Sequence, residues 1–270
     1  MGQPFASDAL VLRILGHGES DIIATLFSPV HGRLSCIAKG AKRSRKRFVN
    51  KLELFSRLQL LLAPTRSGLL RLDSAELVDP YPGLRSGPLA YAAASVLAEA
   101  MLHWSRENDG DQYLFELCDW AFGRISHNLR IPETLLFALM KLYSRQGFRP
   151  RLDRCGNCGK AVSGRALFLP GQHGLACPGC HPRPGGASGL SLSAETPKAL
   201  ELAINLPVGK LDRVRLSAAA LDEGLLLARR YGNFLLQRDI RSWEVLEAVR
   251  AGNWANSSSG GGSARRNGEH

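Results

Sequence analysis

Between Asp8 and Asp79 the apolar residues come in short bursts: ALVLRI, DIIATLF, RLSCIAK, RLQLLLA and GLLRLDSAEL, punctuated by Gly16, Gly18, Pro29, Gly32, Pro64 and Gly68. Each burst has the length and aliphatic content of a strand, and each gap carries turn formers. Alternation is clearest in the third burst, where Leu34, Cys36 and Ala38 oppose Arg33, Ser35 and Ile37. Five such segments within about 75 residues predict a small closed barrel.

After Pro80-Tyr81-Pro82 the period changes. Pro88 to Trp104 is alanine-rich with Val96, Leu97, Met101 and Trp104 at helical spacing, and Gln112 to Ile125 repeats the pattern. A third helix is predicted from Pro132, a residue favoured in the first turn, to a glycine stop at Gly147. Further on, Ala194 to Asn205 and Ser217 to Gln237 read as helices, with Ser217 a good N-cap. The expected class is α+β. The expected division is a barrel over 1–80, helices over 81–150, a cysteine-bearing insertion over 151–184, more helices over 185–254 and a disordered tail over 255–270. PRPGGASG, from Pro182 to Gly189, is the expected flexible connector.

The insertion carries the most specific chemistry. Cys155-Gly-Asn-Cys158 precedes Cys177-Pro-Gly-Cys180 in a C-x2-C-x18-C-x2-C arrangement, a spacing suited to one structural zinc ion. Each pair can offer two thiolates to one side of a tetrahedron, and four cysteines leave no position open for a reactive water. A redox dithiol would instead need a βαβ setting, which the pattern lacks. Cys36 and Cys118 fall on apolar faces and read as core.

Charge changes the picture next. The chain holds 35 Lys and Arg against 24 Asp and Glu, a formal net charge of +11, which favours polyanionic partners. From Lys39 to Lys51 run Lys39, Lys42, Arg43, Arg45, Lys46, Arg47 and Lys51 with no acidic residue among them. Alone, such a run is also what a solvated face or loose arm looks like. Its place between the third and fourth strand segments makes it a loop on the barrel rim, suited to phosphates. Arg33, Arg57 and Arg71 extend the track if their strands turn them outward. Arg145, Arg149, Arg151, Arg154, Lys160, Arg165 and Arg183 form a second, sparser basic group around the cysteines.

No phosphate loop, H-E-x-x-H pair or dinucleotide fingerprint is present, so binding without catalysis is the expected role. The N-terminal MGQPFASDALVL has no export pattern and no apolar run is long enough to span a bilayer, so the expected place is the cytoplasm, with no membrane partner.

The segments LVLRILGHGESDIIATLFSPVHGRL, AKGAKRSRKRF, LELFSRLQLLL and LRLDSAELVDPY, followed by FALMKLYSRQGFRPRLDRCGNCG, resemble the bacterial DNA repair and recombination mediator family RecO. RDIRSWEVL, from Arg238 to Leu246, is similar to the end of some relatives. The resemblance implies an OB-type barrel, a helical domain and, in many members, a four-cysteine zinc finger. It implies binding of single- and double-stranded DNA, annealing of complementary strands, and loading of RecA onto strands coated by single-strand-binding protein. The implied partners are RecR and the acidic C-terminal tail of single-strand-binding protein, in the nucleoid. Two rivals remain on the residues alone: a zinc-ribbon RNA- or ribosome-binding protein, and a zinc-dependent nuclease.

Overall fold

The computed structural model describes residues 3–44, 48, 51–66, 68–180 and 189–252. Five strands, β1 (Phe5–His17), β2 (Asp21–Ser28), β3 (Gly32–Ala38), β4 (Arg57–Ala63) and β5 (Leu70–Asp79), close a barrel in the order β1-β2-β3-β5-β4. Neighbours are antiparallel except β3 and β5, which is the connectivity of an OB-type barrel. Leu34, Cys36 and Ala38 point inward as the alternation predicts, and Ile37 is half-buried on the other face. Burial pushes the Cys36 thiol up to about 12, so it is inert packing.

β1 departs from alternation for a physical reason. Ala9 and Val11 fill the barrel, while Leu10 and Leu12 on the opposite face join Phe27 in the core of the helical domain. A strand buried on both faces has no polar side to show, hence the unbroken Ala9-Leu10-Val11-Leu12.

The helical domain holds α1 (Pro88–Trp104), α2 (Gln112–Ser126) and α3 (Ile131–Arg145), then α4 (Glu195–Asn205), α5 (Ala218–Leu236) and α6 (Ser242–Arg250). Ser217 caps α5 as expected, accepting from Ala220 N–H at 3.2 Å, and Asp111 caps α2, accepting from Leu114 N–H at 3.1 Å. α6 was not foreseen from periodicity, being a nine-residue helix with only Trp243 and Leu246 buried. It is fixed instead by Glu99 of α1, which accepts Arg241 N–H at 3.0 Å, Ser242 N–H at 2.8 Å and the Ser242 hydroxyl at 2.6 Å. A carboxylate there satisfies orphan donors at the helix start.

The cysteine insertion is itself a small sheet, with β6 (Arg151–Cys155), β7 (Ala166–Leu169), β8 (Gly174–Ala176) and β9 (Leu190–Leu192) in the order β6-β8-β7-β9. Leu152, Phe168, Leu175, Leu190 and Leu192 belong to the helical core, and Phe168 meets Tyr231 of α5 edge-on at 5.3 Å. The connector expected from Pro182 to Gly189 lies outside the described residues except for Gly189, and the tail over 255–270 lies outside them entirely.

Barrel and helices are stitched at the β2–β3 turn. Arg33 N–H donates to the Arg106 carbonyl at 2.8 Å and Asn108 N–H to the His31 carbonyl at 3.0 Å. Gly32, at φ 66°, leaves no space for a Cβ, which would stand 2.3 Å from the Arg106 carbonyl oxygen. Gly32→Ala therefore combines a left-handed backbone with a backbone clash. It should cost roughly 2–4 kcal/mol and lower the melting temperature by about 5–15 °C. A calorimetric melt unchanged within a degree or two would contradict this joint.

Candidate nucleic-acid interface and metal centre

The basic loop is built from β3 outward. After Ala38, Gly40 takes a left-handed conformation at φ 67° and opens a short 3-10 turn over Ala41–Arg43. Ala41, Phe48 and Leu52 plug into the barrel core, while Lys39, Lys42 and Arg43 are exposed. Phe48 and Phe55 are both buried, so neither offers a ring for base stacking. The loop leans on the β1–β2 turn: Gly40 N–H donates to Asp21 Oδ1 at 2.8 Å, and Lys42 N–H to the Ser20 carbonyl at 2.9 Å. The Gly40 N–H and the Ser20 hydroxyl hold the Asp21 carboxyl below its ordinary pKa.

Of the cations, Lys39 is exposed and Lys51 half-buried. Lys42 Nζ donates to the Gly18 carbonyl at 2.8 Å, and Arg43 pairs with Glu19 at 3.0 Å with side chains 69% and 89% exposed. An ion pair so exposed contributes little, about 0–1 kcal/mol, and yields readily to a phosphate. Arg45, Lys46 and Arg47 lie outside the described residues. Arg71 is exposed on β5, opposite Ile37 of β3, with Asp73 accepting from its Nε at 2.6 Å.

The other two predicted arginines stand elsewhere. Arg57 is held between barrel and bundle, its Nη1 3.3 Å from Asp119 and its Nη2 3.3 Å from Asp8, with the Phe115 ring 5.3 Å from Cζ. Tyr81 also donates to Asp119, making this a strut. Arg33 lies at the far end of β3, about 20 Å from Lys39 at the rise of an extended strand, and donates to the Leu102 carbonyl at 2.9 Å. In the second basic group, Arg145 pairs with Asp111, Arg149 with Glu201 and Arg154 with Asp153, and Arg183 lies outside the described residues.

The four cysteines come together as their spacing predicts. Parallel pairing of β6 with β8 sets the two C-x2-C turns side by side, and Gly156 N–H donates to the Leu175 carbonyl at 2.7 Å. Gly159, at φ 71°, lets the first turn fold back, with its N–H on the Cys155 carbonyl at 2.9 Å. All four sulfurs lie within 4.8 Å of one another, and Cys158 Sγ is 3.8 Å from Cys177 Sγ. A tetrahedron with metal–sulfur bonds of about 2.3 Å has edges of about 3.8 Å, so the donor set fits one thiophilic metal ion.

The electrostatics agree. The Cys177 N–H, 3.4 Å from Cys155 Sγ, leads the N–H groups that bring the Cys155 thiol down to about 6. Beside it, hydrogen bonding to the Cys158 and Cys177 sulfurs, followed by burial, pushes Cys180 up to about 12, so one proton is shared within the cluster. A divalent cation would take that proton's place and stabilise the fully ionised set.

The comparisons with known proteins point one way. Residues 1–81 match the family described as Recombination protein O N terminal, and residues 85–244 match Recombination protein O C terminal. Proteins named DNA repair protein RecO are similar along almost the whole chain. The one from Syntrophus aciditrophicus is 30% identical over 247 residues, covering 90% of this chain and 95% of the relative. The one from Symbiobacterium thermophilum is 33% identical over 258 residues, covering 90% and 97%. The one from Desulfatibacillum aliphaticivorans is 28% identical over 255 residues, covering 92% and 98%.

Proposed function

The chain belongs to the recombination protein O family, a family of DNA repair and recombination proteins, and from that membership we propose that it acts as a non-enzymatic recombination mediator. It binds single- and double-stranded DNA, anneals complementary strands and helps RecA onto strands coated by single-strand-binding protein. RecR and the acidic tail of single-strand-binding protein are its proposed partners, and the cytoplasm, at the nucleoid, its proposed place. Among the described residues no helix is long and apolar enough to cross a membrane.

The observation that carries this reading is the basic loop, whose apolar residues Ala41, Phe48 and Leu52 are anchored in the barrel while Lys39, Lys42 and Arg43 stay at the rim. We assign phosphate contact to these three, to Lys51 and Arg71, and to Arg45, Lys46 and Arg47 of the same run. Arg57, committed to Asp8 and Asp119, serves as a joint instead. The contact is mainly electrostatic, since the barrel's Phe48 and Phe55 are buried. Annealing follows without bond chemistry: a cationic surface that holds one strand lowers its repulsion for the next. The metal is zinc, one per chain, held by Cys155, Cys158, Cys177 and Cys180, and its role is structural because four thiolates close its coordination shell.

The test is annealing of complementary strands coated by single-strand-binding protein. The wild-type chain should accelerate it without ATP. Equal rates with and without the protein, or strand cleavage in the presence of divalent metal, would overturn the mediator reading.

A further inference from the structure

A cleft of about 670 Å³ opens where the outer face of β1, β2 and β3 meets α1 and the start of α6. An irregularity in β1 shapes it. The register with β2 shifts between Val11 and Arg13, and this bulge brings both Leu12 and Arg13 to the cleft wall. Leu12 is buried against the helical core, and Arg13 is exposed. Arg33 enters from β3 and His103 from α1. Arg238, just beyond α5, lines an adjoining cleft that shares Glu99 and His103 with this one, its Nη1 3.4 Å from His103 Nδ1. Burial first, then the nearby Arg238, Arg33 and Arg13, keep His103 below its ordinary pKa.

Three arginines thus converge on one histidine. Among the described residues none of the three has a carboxylate within salt-bridge distance. Two carboxylates share the cleft lining: Glu99, which caps α6 and lies 4.0 Å from His103 Nε2, and the exposed Glu107, while Asp239 accepts from Asn233 at 2.6 Å. Each guanidinium makes one neutral contact, Arg13 with the Thr25 hydroxyl at 3.5 Å, Arg33 with the Leu102 carbonyl and Arg238 with His103, and keeps further N–H donors of its fork for phosphate oxygens. The cleft also has an apolar side, with Leu12, Leu54 and Leu102 on its lining. A volume of this order encloses a small ligand and is far too small for a duplex.

We propose that this cleft is a nucleotide subsite, in which phosphate oxygens bind Arg13, Arg33 and Arg238 and the base lies against the half-buried Leu54 and Leu102. The ligand is a nucleoside phosphate, either one unit of a single strand or a free nucleotide. As a strand subsite it rests on the DNA-binding reading above. β1 joins the two regions, running from Arg13 toward Gly18, whose carbonyl holds Lys42 of the basic loop. One strand thus has a continuous path from rim to cleft.

The test compares the wild-type chain, Arg13→Ala with Arg238→Ala, and Lys42→Glu with Arg43→Glu. Each is titrated with a labelled oligothymidylate over a salt series, and each is melted with and without thymidine monophosphate. The cleft variant should bind the strand about tenfold more weakly at about 0.1 M salt, and its log–log salt slope should flatten by about 1.4, as two lost phosphate contacts require. Its melting temperature without ligand should stay at the wild-type value, since both side chains are exposed. Arg13→Lys with Arg238→Lys should regain most of the slope.

A thymidine monophosphate-induced rise in melting temperature that disappears in the cleft variant identifies the free nucleotide as a ligand. A strand effect alone identifies a unit of the chain. If the loop variant weakens binding while the cleft variant matches wild type in affinity, slope and nucleotide response, the subsite is overturned and the DNA reading stands. If wild type binds no strand, the DNA reading falls. The cleft then survives only on an arginine-dependent response to thymidine monophosphate.

Discussion

Replacing Cys155 or Cys177 by serine should reduce bound zinc from about one ion per chain to near zero and unfold the β6–β8 turns. Ligand binding and local folding are coupled in such sites, because the sulfurs come together only in the folded state. Here the coupling has a limit set by packing. Phe168, Leu175 and Leu192 lie in the helical core, so that side of the insertion keeps its burial when the metal is gone. The expected loss is therefore several kcal/mol, on the order of 10 °C in melting temperature, with the barrel and helices still folded. Thiol counting gives an independent reading. Chelation should expose four reactive thiols, while Cys36 and Cys118 stay silent, both buried and both raised in pKa by that burial. Six reactive thiols after chelation, or wild-type zinc content in Cys155→Ser, would contradict this account.

The second large effect is expected from charge reversal of the loop. Lys42→Glu, Arg43→Glu and Arg45→Glu together change the net charge from +11 to about +5, all of it within the basic run. Each reversal replaces a phosphate contact with a repulsion, so affinity for single strands should fall by about a hundredfold or more at ~0.1 M salt. Folding should survive, because the residues that anchor the loop, Ala41, Phe48 and Leu52, are untouched. Arg43 surrenders only its exposed pair with Glu19. Fluorescence anisotropy with matched DNA and RNA strands reads both the loss and the preference. Undiminished DNA affinity in the triple variant would move the interface away from the loop, and a strong RNA preference in wild type would favour a different class of partner.

What was legible in the sequence follows from how each feature encodes itself. The barrel showed because its five strands carry turn formers at their ends, and β3 alternates visibly. The cysteine cluster showed because its spacing is local: two C-x2-C turns need only be brought together once. The insertion's strands did not show, since β8 and β9 have three residues each and such runs carry no period. α6 stayed hidden because its placement depends on Glu99, more than 140 residues earlier in the chain.

The same distinction holds for the arginines. Sequence identified Arg33, Arg57 and Arg71 as cations on strands, but their partners are tertiary. Asp119 makes Arg57 a strut, and the α1 carbonyl of Leu102 draws Arg33 into the cleft. Arg13, His103 and Arg238 carried no signal as a group, because they come from a bulge, a helix and a loop that meet only in the fold. The bulge itself is written nowhere in the pattern, where Leu12 simply extends an apolar run.

If cations on the barrel rim hold DNA through its phosphates, the salt dependence of single-strand binding by the wild-type chain must show it. Four to six engaged phosphates give a log–log slope of roughly −3 to −4, the same for strands of different sequence. A slope near zero, or one that changes with base composition, would contradict a phosphate-held strand.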